Sequence, residues 1–336
     1  MEQYTLEVRN LSVSFFTDSG ERPAVRDVSL QIPRGSITGI VGESGCGKST
    51  FGRTLLELYP QTDGRTMYYG RTLDELAPEY MKKTIAELPK LREKQRAALR
   101  GSEISMVFQE PMTSLNPVVR VGRQVTEALR LHERVSAEEA KKRTVEILES
   151  VGIAEAERRC MNYPHELSGG LRQRVMIAMA MICKPKLLIA DEPTTALDVT
   201  VEAQILKLMR KLSQDGTSIL LISHNLGVIA QVCDRVYVMY AGQIVEEADV
   251  LDLFDRPAHP YTRGLLASVS SLRRGTEPLE TIPGNVPGVN GPMAGCAFAP
   301  RCALCEESCR QTAPVLSGIS PGHAVRCLRA GKGDEQ

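Results

Sequence analysis

At 336 residues the chain is long enough for one large domain, or for one domain with a substantial extension. Its 41 Lys+Arg balance its 41 Asp+Glu, so no global field draws it to nucleic acid or anionic lipid, and any such partner would need a local patch. With 42% hydrophobic residues, 4% aromatics and no Trp, a core of Leu, Ile, Val, Ala and Met is expected, and no run reaches the roughly 18–20 apolar residues that span a bilayer.

The N-terminus, Met1-Glu2-Gln3-Tyr4, lacks a basic region followed by an apolar stretch. No secretory signal is expected, and the chain reads as cytosolic. Leu6 and Val8, then Val28, Leu30 and Ile32, alternate with polar residues as β-strands do, up to Pro33-Arg34-Gly35. Ile37 to Val41 is a short apolar strand that runs into glycines and then a helix beginning near Lys48. From Met81 to Arg100 the chain is helical in character, and its Lys and Arg residues alternate with Glu and Leu as on a solvated face. The stretch 71–100 carries no assigned role.

Residues Val121 to Arg159 have helical periodicity, with a start at Ser136 marked by Glu138 and Glu139. The longest apolar run, Val175 to Cys183, stops at Lys184-Pro185. Leu187 to Ala190 and Ile219 to Ile222 are uninterrupted apolar runs suited to central strands of a parallel sheet. Val236 to Met239, Ala241-Gly242 and Ile244-Val245 read as a hairpin. After about Asp255 the texture changes to frequent Pro and Gly, from Pro257 and Pro260 to Pro314 and Pro321. That places a boundary between residues 1–255 and a loop-rich extension over 256–336, with the last half-dozen residues expected to be disordered.

Gly42-Glu43-Ser44-Gly45-Cys46-Gly47-Lys48-Ser49, followed by Thr50, fits G-x-x-x-x-G-K-[ST]. Glycines let the backbone wrap an anion, so that amide groups and the following helix start point at phosphate oxygens. Lys48 brings charge for the β- and γ-phosphates of ATP, and Ser49 a hydroxyl for Mg²⁺. Leu187-Leu188-Ile189-Ala190-Asp191-Glu192 is an apolar strand ending in two acids at a sheet's C-terminal edge. Asp191 suits Mg²⁺, and Glu192 suits orienting or deprotonating the water that attacks the γ-phosphate.

With Leu167-Ser168-Gly169-Gly170-Leu171-Arg172-Gln173 lying between those two elements, the chain resembles the ABC ATPase family. The resemblance implies an α/β P-loop NTPase cassette with a mixed sheet core, an antiparallel β subdomain and a helical subdomain over about 112–185. It also implies a head-to-tail dimer in which the helix opened by Ser168, Gly169 and Gly170 faces the γ-phosphate held by the partner. Phe15, in Leu11-Ser12-Val13-Ser14-Phe15, matches the aromatic that stacks on adenine, although a core aromatic is an equal reading and Phe16 lies beside it. Gln109 matches the Q-loop glutamine, which senses Mg²⁺ and couples to the membrane partner. Asp198 matches the D-loop, and His224 the switch histidine at the γ-phosphate.

Met112-Thr113-Ser114-Leu115-Asn116-Pro117, Pro164-His165-Glu166 and Pro257-Ala258-His259-Pro260-Tyr261-Thr262 further resemble the oligopeptide/dipeptide importer branch, which includes nickel-peptide relatives. That branch implies a peripheral subunit on the cytoplasmic face of the inner membrane. Its implied partners are a second cassette, related or identical, two transmembrane permeases and, indirectly, an extracytoplasmic solute-binding protein, with no nucleic acid. Leu171 stands where Gln is common, and Asn225 where Asp often follows the histidine.

Nine cysteines in a reducing compartment are not expected as disulfides. Cys46, Cys160, Cys183 and Cys233 are scattered, whereas Cys296, Cys302, Cys305, Cys309 and Cys327 share the tail. Cys296, Cys302, Cys309 and Cys327 are similar to the branch's C-terminal iron–sulfur motif, which implies a [4Fe-4S] cluster folding a tail poor in core. Cys302-x2-Cys305 also has zinc-like spacing, so Zn²⁺ and unligated thiols are the alternatives. Among rival functions, a soluble ABC ATPase would be expected to carry two cassettes or a long coiled coil, and neither is visible. A cassette that binds ATP without hydrolysing it conflicts with the intact Lys48, Asp191, Glu192 and His224.

Overall fold

A computed structural model of the chain describes residues 3–18, 20–72, 99–110, 114–195, 197–274, 282–284 and 294–330. The helical reading of 81–98, the Met112-Thr113 part of the importer motif and the expected disorder of 331–336 lie outside these residues.

In chain order the strands are β1 (Tyr4–Thr17), β2 (Gly20–Pro33), β3 (Ile37–Val41), β4 (Asp63–Tyr68), β5 (Arg71–Thr72) and β6 (Ile104–Val107). They continue with β7 (Leu187–Asp191), β8 (Ser218–Ser223), β9 (Arg235–Tyr240), β10 (Gln243–Asp249), β11 (Ser317–Ser320) and β12 (His323–Val325). The described helices are α1 (Lys48–Leu55), α2 (Val121–His132), α3 (Ala137–Ser150), α4 (Ala156–Arg159) and α5 (Gly169–Met181). After them come α6 (Val199–Gln214), α7 (Leu226–Val232), α8 (Val250–Asp255), α9 (Pro260–Arg274) and α10 (Glu307–Gln311). The chain divides into two compact units, one comprising residues 1–5, 32–36 and 68–221, the other 6–31, 37–67 and 222–336.

In the first unit β6 and β7 run parallel, Ile104 opposite Leu187 and Val107 opposite Ala190. Every residue of both strands is buried, as continuous apolar runs require when both faces are covered. Burying a side chain such as Leu187 or Ile189 contributes about 1.5–3 kcal/mol. The helices obey the same patterning. In α3 the buried Ala140, Thr144 and Leu148 recur every four residues, and the Ser136 side chain accepts the Glu139 backbone N–H. Helix α2 turns Val121, Val125 and Leu129 inward, and its Thr126 hydroxyl bonds that of Thr144 at 2.9 Å. Helix α5 is buried on all sides from Gln173 to Ala178, so its sequence shows no polar stripe.

In the second unit the strand order β11-β12-β10-β9-β3 combines both pairing types. Strand β3 is parallel to β9, whereas β9 and β10 form the hairpin read from the sequence, with a bulge between Ile244 and Glu246. The tail is more than loops. It supplies α9 and a β11–β12 hairpin whose inner strand pairs antiparallel with β10, Glu246 opposite Val325. Strands β2, β1 and β4 lie side by side in a separate sheet. Among the described residues, no helix is long and apolar enough to cross a membrane.

Candidate nucleotide site

In the second unit, β3 delivers the chain into the Gly42–Ser49 loop and α1 starts at Lys48. Two glycines are obligatory there. A Cβ on Gly42 would sit 2.1 Å from the Met239 carbonyl oxygen, and one on Gly47, at φ +106°, 2.4 Å from that of Ala24. At these two positions the loop therefore nests against β9 and β2 with no room for a side chain. Lys48 is 5% exposed; its Nζ donates to the carbonyls of Gly42 (2.7 Å) and Glu43 (2.9 Å) and lies 3.7 Å from Cys46 Sγ. Burial pushes the Cys46 thiol up, against the pull of the Lys48 charge, so this cysteine behaves as a neutral packing residue. Glu43 is held by Tyr261 and Arg301 of the tail.

Phe15 and Phe16 stand at the exposed end of β1, 37% and 74% exposed, so neither is a core residue. Phe15 meets Tyr59 edge-on at 5.3 Å. His224 follows β8 and is exposed. Asn225 caps α7 by accepting the Gly227 N–H at 2.8 Å. The departure from Asp at this position therefore costs nothing locally, because the two residues cap equally well.

In the first unit, β7 ends in Asp191, fully buried, and Glu192, 9% exposed. Glu192 has φ +48°, a left-handed conformation that costs a non-glycine residue about 1–3 kcal/mol and concentrates at functional sites. Its Oε2 accepts from Gln109 Nε2 at 3.1 Å and from the Thr195 hydroxyl at 2.9 Å. Gln109 and Glu192, 83 residues apart, thus form one hydrogen-bonded pair. Thr195 gave no sequence signal beyond its place in a Thr-Thr pair after the acids.

The Ser168 side chain caps α5, accepting the Leu171 N–H at 3.4 Å, while Asp198 caps α6 by accepting that of Val201 at 2.8 Å. Gln173 donates to the Pro193 carbonyl at 2.8 Å, tying the signature helix to the turn after Glu192. A Cβ on Gly169 would meet nothing within 4 Å among the described residues, so the chain's own packing does not require glycine there. Among α2, α3 and α4 a cleft of about 710 Å³ is lined in part by Arg120, Arg123, Arg130, Lys141, Glu127 and Glu157.

Of the tail cysteines, Cys296, Cys302 and Cys305 lie in loops, Cys309 in α10 and Cys327 just after β12. Cys296 N–H donates to the Cys309 carbonyl at 2.7 Å. Burial pushes the Cys296 thiol up, and nearby Cys327 and Cys309 push it further. Burial raises the Cys302 thiol as well, with added push from Cys296, Cys327 and Cys305. Cys305 turns its Sγ toward the Glu306 carbonyl at 3.5 Å. These thiols are of the soft type that iron–sulfur clusters and zinc accept. Among the described residues, however, no three His, Cys, Asp or Glu side chains are gathered as a metal-holding group.

Residues 25–195 match the model of the ABC transporter family, and residues 245–309 match that of the oligopeptide/dipeptide transporter C-terminal region. The chain is 49% identical over 332 residues to a probable peptide ABC transporter ATP-binding protein of Sinorhizobium fredii, covering 97% of this chain and 95% of the relative. It is also 49% identical over 323 residues to the oligopeptide transport ATP-binding protein OppD of Bacillus subtilis, covering 96% and 87%. A dimeric post-hydrolysis structure of the ATP-binding cassette MJ0796 with ADP and Pi matches with a TM-score of 0.62 at 28% identity, over 73% of this chain and 98% of that one.

Proposed function

The chain belongs to the ABC transporter family of ATP-binding cassettes, and from that premise we propose that it is the ATP-hydrolysing subunit of a peptide importer. The Gln109–Glu192–Thr195 arrangement carries the catalytic part of the reading. Two donors on Oε2 fix a carboxyl group that a strained backbone already presents. A base held in place before its water arrives needs no reorganisation during reaction. Glu192 is the group that readies water for the γ-phosphate, and Gln109 its sensor. Lys48 leaves the Gly42 and Glu43 carbonyls for the β- and γ-phosphates, and loop amides through Ser49 and Thr50 complete the cradle. Ser49, Asp191 and Gln109 would hold the Mg²⁺ that accompanies ATP. His224 addresses the γ-phosphate, and Phe15 the adenine.

A second cassette, related or identical, completes each site by presenting Ser168 and Gly170, with Asp198 at the shared contact. The spare space at Gly169 supports this reading, because the demand for glycine then comes from outside the chain. Two permeases supply the membrane spans, and the solute-binding protein acts through them. The exposed Leu131 and Met161, which line the basic cleft, support docking of permease helices on this helical part. The protein would then work at the cytoplasmic face of the inner membrane. Peptide is the favoured cargo because both matched relatives are named for peptide or oligopeptide transport; nickel chelates are the second. Residues 1–255 are read as the cassette and 256–336 as the extension.

The direct test is Glu192→Gln. Hydrolysis of Mg-ATP by the assembled importer should fall about 10²–10⁴-fold, the usual share of a general base, while nucleotide is retained in a closed dimer. Undiminished turnover would refute the assignment. We propose in addition that Cys296, Cys302, Cys309 and Cys327 hold a [4Fe-4S] cluster, with zinc as the alternative. The push of Cys327 and Cys309 on the Cys296 thiol, and of Cys296 and Cys327 on that of Cys302, supports a common centre. A bound cluster would tie together a segment with little core of its own. Iron and acid-labile sulfide in anaerobically purified protein test it, and zinc without sulfide removes it.

A further inference from the structure

Arg301 lies in the tail beside Cys302, outside every nucleotide-site motif. Its side chain is 4% exposed, against 29% for Glu43. The guanidinium forms a fork on the Glu43 carboxyl group, Nη1 to Oε2 at 2.6 Å and Nη2 to Oε1 at 2.9 Å. Its other donors are also committed: Nε to the Pro283 carbonyl at 2.9 Å, Nη2 to that of Ile282 at 3.3 Å, and Nη1 to the Tyr240 hydroxyl at 3.4 Å. All five N–H groups of the guanidinium therefore have acceptors. Such a group is fixed in position and orientation, and its fork matches a carboxylate in a way that a Lys ammonium cannot.

Glu43 is the second residue of the phosphate loop, and a second tail residue holds its backbone. The Glu43 N–H donates to the Tyr261 hydroxyl at 2.8 Å. The Glu43 carbonyl accepts Lys48 Nζ at 2.9 Å and the Cys46 N–H at 3.3 Å. Tyr261 is itself fully buried and packed with Tyr240 and Phe298, ring centroids 4.7 and 5.4 Å away. One loop residue is thus gripped by side chain and amide from the tail while its carbonyl parks the lysine. Nothing within the loop itself replaces that grip on the carboxyl group.

We infer that Arg301 is a positioning residue for nucleotide binding, which acts through Glu43 to hold the phosphate loop and its parked Lys48 in the form that receives ATP. The inference rests on reading residues 42–49 as the phosphate site. Loosening the fork lets the loop sample conformations that present its amides poorly, and only the fraction in the receptive form binds. The effect falls on affinity. Once nucleotide is bound, the loop is held by the phosphates, so the chemical step is spared.

The test compares wild type, Glu43→Gln, Arg301→Lys and the Glu43→Gln/Arg301→Lys double variant in the full chain. Mg-ATP binding is measured by titration calorimetry, and steady-state hydrolysis is measured in the assembled importer. Both single variants are expected to raise Kd and KM for ATP about tenfold, as befits loss of a charge-assisted bidentate contact. For Arg301→Lys, turnover at saturating ATP should stay within about threefold. The double variant should bind no worse than the weaker single variant, because both partners belong to one contact. Glu43→Gln leaves the tail's sequence intact, so it probes the loop even where Arg301→Lys folds poorly. A melting temperature that falls with Kd unmoved, or a loss confined to kcat, overturns the inference and marks Arg301 as a packing residue or a chemical one. Lys48→Ala serves as the control. If wild type binds Mg-ATP no better than that control, the phosphate-site reading fails and takes the clamp with it. If wild type binds and Glu43→Gln binds equally well, the clamp alone fails.

Discussion

Glu246 offers a sharp test of how the tail is fastened. It sits on β10 with no exposed surface. Its Oε1 accepts the Ala258 N–H at 2.7 Å and lies 2.8 Å from His323 Nε2, while Oε2 accepts the His259 N–H at 2.8 Å. Replacing Glu246 with Gln keeps the shape but removes one acceptor. With the new NH2 at the Oε1 position, His323 can switch tautomer and accept from it, yet the Ala258 N–H then faces a donor. With the NH2 at Oε2, the His259 N–H is stranded instead. One buried backbone donor is lost in either arrangement, at a cost of about 1–3 kcal/mol. At roughly 2–4 °C per kcal/mol for a chain of this order, Glu246→Gln should lower the melting temperature by about 2–12 °C. Glu246→Ala strands both amides and should cost about twice as much. Differential scanning fluorimetry reads the first effect, and amide exchange at Ala258 and His259 locates it. A Glu246→Gln protein that melts within 1 °C of wild type, with unchanged exchange at both amides, would refute this account of the anchor.

Two further perturbations have defined outcomes. Burial lowers the pKa of His259 to about 4, although a hydrogen bond with the Arg326 backbone opposes it. Between pH 6.5 and about 4 the unfolded chain binds a proton that the folded chain refuses, so stability is complete above 6.5 and falls as pH drops, by up to about 1.4 kcal/mol per unit. Urea titrations across that window should show His259→Gln with a shallower slope than wild type; equal slopes would remove His259 as the cause. Thr195→Val deletes one of the two donors that hold Glu192. ATP turnover should fall about tenfold, in line with one charge-assisted hydrogen bond, with Mg-ATP affinity unmoved, and phosphate-release assays at saturating ATP would expose an unaffected variant.

The cassette was readable where one physical demand forces one residue pattern. The glycines at 42 and 47 are dictated by carbonyls 2.1 and 2.4 Å from where a Cβ would sit, and β7 and β8 carry the unbroken apolar runs Leu187–Ala190 and Ile219–Ile222 because they are buried along their whole length. Ser136 and Ser168 announced helix starts, since a cap is a local interaction within three residues. What stayed hidden depends on contacts distant in sequence. Nothing near Arg301 indicates a carboxyl group 258 residues earlier, and nothing near His323 indicates Glu246. The Pro-rich texture after Asp255 suggested loops, and it concealed the β11–β12 hairpin because an edge strand of Ser, Gly and Ile has no clear alternation. The tail cysteines show the converse. Their spacing carries a strong resemblance, whereas the side chains as placed form no metal-holding group among the described residues.

The Pro257–Thr262 motif acquires a physical meaning from these contacts. Two of its backbone amides, those of Ala258 and His259, end on the buried Glu246. The third, that of Tyr261, donates to His259 Nδ1 at 3.0 Å and so fixes the imidazole. The Tyr261 hydroxyl then reaches the Glu43 amide at the phosphate loop. Neither anchor tolerates the obvious replacements: Phe at 261 would remove the acceptor for a loop amide, and a basic or apolar residue at 246 would strand two donors. The motif is therefore a short bracket between the β10 strand and the nucleotide loop, with Pro260 starting α9 at its first turn. The change of composition after Asp255 marks a change of texture and not an end to regular structure. The forces cross it without interruption, because the residues that steady the phosphate loop stand on both sides.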